Sequence, residues 1–177
     1  MPGASCNRCG FVRTCTRCDL PLRLRNEATS KFLFCGHCGR PPLQADIQPA
    51  SRVCTRCGLG LLVSAPPDGA PSPHDPFLLV DGQLSVCGVS RLAEELLMTK
   101  ETDVVNAHVG DLLVPADIEI SGPESLINLI VHAARGNGET HHVVLRPAKE
   151  FGIRFWARIS PCGPPKAALI VLADGRE

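Results

Sequence analysis

This chain of 177 residues has no net charge, because eighteen Lys/Arg are matched by eighteen Asp/Glu. It is therefore not a uniformly basic binder of nucleic acid. Nor does any apolar run approach the roughly eighteen residues that a membrane-spanning helix needs. Met1 to Ser5 has no apolar core of the kind that makes a signal peptide, so a cytoplasmic protein without membrane contact is expected. There is no Gly-x-x-x-x-Gly-Lys-Ser/Thr phosphate loop. No Ser/His/Asp set or paired-carboxylate arrangement stands out, and Gly136-Asn137-Gly138 is too little for a phosphate cradle. Nothing argues for an enzyme.

What the chain does have is cysteine, concentrated at one end. Eight of its ten cysteines form four Cys-x-x-Cys pairs: Cys6/Cys9, Cys15/Cys18, Cys35/Cys38 and Cys54/Cys57. Two intervening residues let both sulfurs of a pair grip one tetrahedral metal from a single turn, and two pairs close a four-sulfur site. Gly10, Gly39 and Gly58 follow three of the pairs, and Asp19 the fourth. Glycine permits the left-handed backbone that turns N–H groups toward the sulfurs. These glycines and the missing export signal favour metal over disulfides. Two structural zinc ions are expected, and four sulfurs per ion leave no open position for catalysis.

The pairs can join sequentially, interleaved or nested. Pro21 to Arg25 and Lys31 to Phe34 are alternating runs around a polar turn, which predicts a β-hairpin. That hairpin would set Cys15/Cys18 beside Cys35/Cys38 and leave Cys6/Cys9 for Cys54/Cys57, a nested arrangement. The cysteine pattern over residues 6 to 60, with Phe34-Cys-Gly-His-Cys-Gly39 at its centre, resembles double zinc ribbons. It is most similar to the cysteine-rich insert of the primosomal replication-restart helicase. The resemblance implies the same nested topology, but no helicase activity.

The remaining charge is unevenly spread. Residues 1–64 hold nine Lys/Arg against three Asp/Glu, and the rest holds nine against fifteen. Eight thiolates and two divalent ions would lower the N-terminal excess to about +2. The N-terminal third is too small to fold on apolar burial alone, so metal must supply much of its stability.

Ser64 to Pro76 contains five prolines and reads as a semi-rigid linker. Three parts follow: residues 1–63 as a double zinc ribbon, 64–76 as linker and 77–177 as a second domain. In the last part, Phe77 to Val80 and Gln83 to Cys87 read as strands around an Asp81-Gly82 turn. Ser90 caps a helix carrying Leu92, Ala93, Leu96 and Leu97. A looser helical region runs from Val104 to Val114, ended by Pro115, and Pro123 opens a stronger helix that Gly136 closes. Strands follow at His142 to Arg146, Gly152 to Ser160 and Ala167 to Leu172.

The expected fold is α+β, a five-stranded antiparallel sheet with helices on one face. Residues 76 to 175 resemble the PAS fold. The likeness rests on Phe77-Leu-Leu-Val-Asp81-Gly, on Val86 to Leu97, on Val105 to Leu113 and on the final Ala168-Leu-Ile-Val-Leu-Ala-Asp174 strand. It implies a sensor or dimerisation domain, with no PAS ligand identified. The flavin-type Asn-Cys-Arg-Phe-Leu-Gln stretch is absent, and His108, His132, His141 and His142 read as surface or hydrogen-bonded side chains rather than haem ligands. In the PAS family the last strand commonly leads into an output domain. Here the chain runs three residues past Asp174, so output is expected from the ribbons, an oligomer change or a partner.

Gly152 to Ser160 alternates, with Ile153, Phe155, Ala157 and Ile159 inward and Arg154, Trp156 and Arg158 outward. Ala167 to Leu172 is apolar on both sides and needs cover on both. A homodimer through that sheet is expected to supply the second cover. Cys87 and Cys162 read as small buried hydrophobes, and His37 as an exposed loop side chain. Taken together, the sequence predicts a regulatory adaptor whose ribbons dock a protein partner. The alternative is nucleic-acid contact through Arg8, Arg13, Arg17, Arg23, Arg25, Arg52 and Arg56, with Phe32 and Phe34 stacking on bases.

Overall fold

Phe32–Cys35 (β1) is the first strand among the described residues, and its partner lies far along the sequence. β1 pairs antiparallel with Leu62–Ala65 (β2), in the register Phe32 to Ala65 and Cys35 to Leu62. The computed structural model describes residues 31–43, 52–116 and 126–174. Residues Lys31–Glu177 form one compact unit and Met1–Ser30 another. The proposed strand at Pro21 to Arg25 lies outside the described residues, as do Cys6, Cys9, Cys15 and Cys18.

The second sheet is built from Phe77–Val80 (β3), Val86–Val89 (β4), Leu113–Pro115 (β5), His141–Pro147 (β6), Phe155–Cys162 (β7) and Ala167–Asp174 (β8). Its spatial order is β4-β3-β8-β7-β6-β5, with antiparallel pairing throughout. The fold is therefore α+β, with one strand more than the five expected. The extra strand is the short edge element β5, where the sequence suggested loose helix. That region instead holds a one-turn helix, Glu101–Val104 (α2), then a 3₁₀ turn at Val109–Asp111 and then β5. Asn106, with φ at 69°, breaks the helical path. Pro115 is tolerated because β5 is an edge strand.

Arg91–Leu96 (α1) starts where Ser90 places its hydroxyl as acceptor for the Ala93 N–H at 3.2 Å, as expected of an N-cap. The same hydroxyl accepts the Phe77 N–H at 2.9 Å, which fastens α1 to the start of β3. Leu126–Ala134 (α3) supplies Ile130, Ala133 and Ala134 to one face of the sheet. They meet Phe155, Ala157 and Ile159 of β7 and Ala168, Ile170 and Leu172 of β8, all buried. The alternation of β7 holds from Phe155 to Ile159, with Trp156 57% exposed, although Ile153 lies outside the strand and is exposed. No described helix is long and apolar enough to cross a membrane.

The other face of β8 corrects the reason given for a homodimer. Ala167, Leu169 and Val171 are buried with Phe77 and Cys162 beneath Phe34, Val63 and Ala65 of the β1–β2 hairpin. Phe34 meets Phe77 edge to face, with centroids 5.6 Å apart. The chain thus covers both sides of β8 itself, and no second copy is needed there.

The proline-rich stretch is likewise no free spacer. Ser64 exchanges backbone hydrogen bonds with Gly163 at 2.9 and 3.0 Å. Arg158 of β7 donates to Asp75 at 3.1 Å, and a Cβ on Gly69 would strike Ser160. The β1–β2 hairpin and the six-stranded sheet consequently share one unit instead of being divided at 64–76.

Truncating Leu169 to Ala should destabilise the protein by about 2–5 kcal/mol in denaturant unfolding, the usual range for a fully buried leucine. A change below about 1 kcal/mol would mean that the face is open.

Candidate metal centre

The hairpin has two faces. Because successive strand residues point to opposite sides, Phe34 and its partner Val63 face the six-stranded sheet, while Cys35 and its partner Leu62 face away from it. On that second side Cys35, Cys54 and Leu62 are buried, with Leu33, Cys38 and Cys57 packed against them. Cys35 thus stands where the strand ends and the first knuckle turn begins.

The four sulfurs of Cys35, Cys38, Cys54 and Cys57 all lie within 4.8 Å of one another, a group able to hold a metal ion. Cys35 Sγ is 3.6 Å from Cys57 Sγ, and Cys38 Sγ is 4.0 Å from Cys54 Sγ. A tetrahedral ion with metal–sulfur bonds of about 2.3 Å would set its ligands about 3.8 Å apart. The observed distances bracket that value. The donor set is closed, two knuckles with two sulfurs each.

This geometry departs from the nested pairing, which was also the topology implied by the helicase-insert resemblance. Among the described residues Cys35/Cys38 shares its cluster with Cys54/Cys57, while Cys15/Cys18 lie outside them. The cause is strand pairing: β1 is zipped to β2, and the chain entering β2 carries the second knuckle. Val53 bridges Leu61, and the Cys54 N–H donates to the Gly60 carbonyl at 2.8 Å, so that knuckle lies against the base of the hairpin.

Each knuckle is shaped by backbone. Gly39 and Gly58 both have φ of 70°, the left-handed turn that the sequence suggested. Their N–H groups close the turns onto the Cys35 and Cys54 carbonyls at 3.0 and 2.8 Å. His37 and Cys38 N–H groups point at Cys35 Sγ, each at 3.4 Å. Such donors stabilise a thiolate. Burial nonetheless pushes the Cys35 and Cys38 thiols up. Burial would raise Cys57 too, but the Gly60 and Leu59 N–H groups and the Cys35 and Cys54 thiols outweigh it and bring Cys57 down to about 7. An incoming cation must therefore displace protons as it binds.

Gly60 is a site residue that sequence reasoning missed. A Cβ there would lie 2.8 Å from the His37 backbone nitrogen and would run into Cys35 Sγ. The only sequence signal was its place between Leu59 and Leu61, which marks no knuckle.

The knuckle also touches the six-stranded sheet's helices. The His37 carbonyl accepts the Arg91 N–H at 3.1 Å, and His37 Nδ1 lies 3.8 Å from Glu101 Oε2. His37 is partly buried in this contact, where an exposed loop side chain was expected. Glu101 in turn accepts the Val89 N–H at 3.0 Å. A cleft of about 410 Å³ opens beside these contacts, lined by Cys38, Cys57, Arg40, Arg56 and Arg91 among others. Four thiolates around a divalent ion would carry a net double negative charge, which these arginines offset.

The remaining candidates are scattered. Cys162 is buried and Cys87 is exposed, a correction to the expectation for Cys87. β4 runs from Val86 to Val89, with Val86 and Val89 turned into the core and Cys87 left outward, next to a register shift between Leu79 and Val80. His108, His132 and His142 are exposed and His141 is partly so. His108 Nδ1 accepts the Gly110 N–H at 3.0 Å.

No protein-family model matches the chain, and no curated protein matches it. Among solved structures it is similar to the crystal structure of the PAS domain of nitrogen regulation protein NR(II) from Vibrio parahaemolyticus. The TM-score is 0.41 and the identity 14%, over 56% of this chain and 88% of that one.

Gly60→Ala should lower metal affinity by about 10- to 100-fold, as loss of a supporting contact around a metal does. Gly82→Ala, with nothing within 4 Å of the added Cβ, should leave it unchanged. Competition against a chromogenic chelator reads both. Equal affinities for the two variants would contradict the close approach at Gly60.

Proposed function

We propose that this protein is a non-catalytic regulatory adaptor, in which a zinc ribbon module and a PAS-like domain act as one body to dock a protein partner. The observation that carries the reading is the four-cysteine cluster at the foot of a hairpin whose other face packs on the sheet. Four thiolates in tetrahedral spacing suit zinc, which needs no open position to act structurally. Cys6, Cys9, Cys15 and Cys18 then remain as the donor set for a second zinc, in sequential rather than nested pairing.

The PAS-like part rests on the sequence motifs and on an antiparallel sheet with helices on one face. A ligand for it is not identified. Docking by the knuckle surface suits a signalling role, because the His37 carbonyl and Glu101 connect that surface to α1 and α2.

Nucleic-acid binding is the competing reading, and two of its residues are otherwise engaged. The Arg52 guanidinium donates to the Pro164 carbonyl, and Phe34 is fully buried in the hairpin's sheet-facing side.

Elemental analysis should find about two zinc ions per chain, falling to one in Cys6→Ser and to one in Cys54→Ser. A single ion in the unaltered chain, or loss of both in Cys6→Ser, would contradict two independent ribbons. For a captured partner, affinity should fall only weakly between 50 and 200 mM salt. Phosphate contacts would make it fall by orders of magnitude, which would favour nucleic acid instead.

A further inference from the structure

The β1–β2 hairpin is too short to stand on its own pairing. It has four residue pairs, and an isolated two-stranded hairpin of that length is marginal in water. Its strands are also joined by a long connection, residues 36–61, which contains both knuckles. Closing that connection costs entropy, which an ion bound at the four-cysteine cluster would offset by tying the connection to itself. The face that the hairpin covers is apolar: Phe77, Leu169, Val171 and Cys162 lie beneath Phe34 and Val63. Polar attachment is sparse. Among the described residues it includes the Ser64–Gly163 pair, the Ser64 hydroxyl to the Gly163 carbonyl at 2.8 Å, Arg52 to Pro164, the Arg91 N–H to His37 and the His37–Glu101 contact at 3.8 Å.

From this we infer that the hairpin is a metal-stapled cover. Metal at Cys35, Cys38, Cys54 and Cys57 keeps it seated on the sheet, and metal loss lifts it and uncovers the face around Leu169 and Val171. The inference rests on the metal reading of the four-cysteine cluster. It adds that metal occupancy is transmitted to the PAS-like sheet as exposure of a buried apolar surface. The sheet itself stays folded when the cover lifts, since its other face is held by a separate core that includes Ile130, Ile159, Ile170 and Leu172.

Cys162 offers a built-in reporter. It is 6% exposed and belongs to the covered face, not to the cysteine cluster. The experiment is alkylation of the full-length, metal-loaded chain, before and after chelation, with the Cys162 peptide followed by mass spectrometry. Backbone hydrogen exchange across β7 and β8 is recorded in parallel, together with the metal content. With metal bound, Cys162 should be protected. After chelation its labelling should rise at least tenfold while the β7–β8 amides stay protected.

Val63→Glu supplies the second arm, because it spoils the seating without touching a ligand. That variant should keep its metal and label Cys162 even when loaded. Three results overturn the inference: metal leaves and Cys162 stays protected, Cys162 and the sheet amides lose protection together, or loaded Val63→Glu protects Cys162 as well as the unaltered chain does. A chain that binds no metal at the four cysteines fails differently. It removes the metal reading itself, and is recognised by elemental analysis before any labelling.

Discussion

The pairing of Phe32–Cys35 with Leu62–Ala65 is the interaction on which the rest depends. One ladder of four residue pairs sorts its side chains to opposite sides. Phe34 and Val63 go to the sheet, and Cys35 and Leu62 go to the cysteine cluster. Shifting the register by one residue would turn every side chain to the wrong face. Cys35 would then point into the sheet and Phe34 would meet the other three sulfurs. The metal centre and the apolar cover are therefore two consequences of a single register, and neither can be repositioned alone.

Glycine makes the arrangement sterically feasible. The left-handed turns at Gly39 and Gly58 shape the two knuckles, and Gly60 lets the second strand pass close to Cys35 and His37. The contact continues into the helices, because the His37 carbonyl lies on the Arg91 N–H at the start of α1. A tetrathiolate centre brings negative charge to this junction, and Arg40, Arg56 and Arg91 line the neighbouring cleft. Arg40 and Arg56 thus have a structural use that does not require a polyanionic ligand.

Much of this could be read from local spacing. The Cys-x-x-Cys-Gly turns at Gly39 and Gly58, the Ser90 cap, the alternation from Phe155 to Ile159 and the two-sided apolar β8 are all patterns within a few residues, and each appears in the fold. What eluded the sequence is non-local. Phe32–Cys35 was given the nearest alternating run as its partner, yet it pairs about thirty residues downstream, and that choice decided which knuckles share a cluster. The need for a cover on β8 was legible, but not that the hairpin would provide it. Val104 to Val114 misled because its apolar spacing suits a helix, whereas Asn106 in a left-handed conformation and the edge strand at Leu113 break the path. Cys87 was misplaced by the register irregularity beside β4.

The central claim is that Cys35, Cys38, Cys54 and Cys57 ligate one ion together. The most direct measurement replaces the native metal with ¹¹³Cd and records proton–cadmium correlations. The account predicts that the Hβ protons of these four cysteines all correlate with a single cadmium resonance, and that no other cysteine does. A resonance shared between Cys35/Cys38 and Cys15/Cys18, with Cys54/Cys57 on a different cadmium, would contradict it.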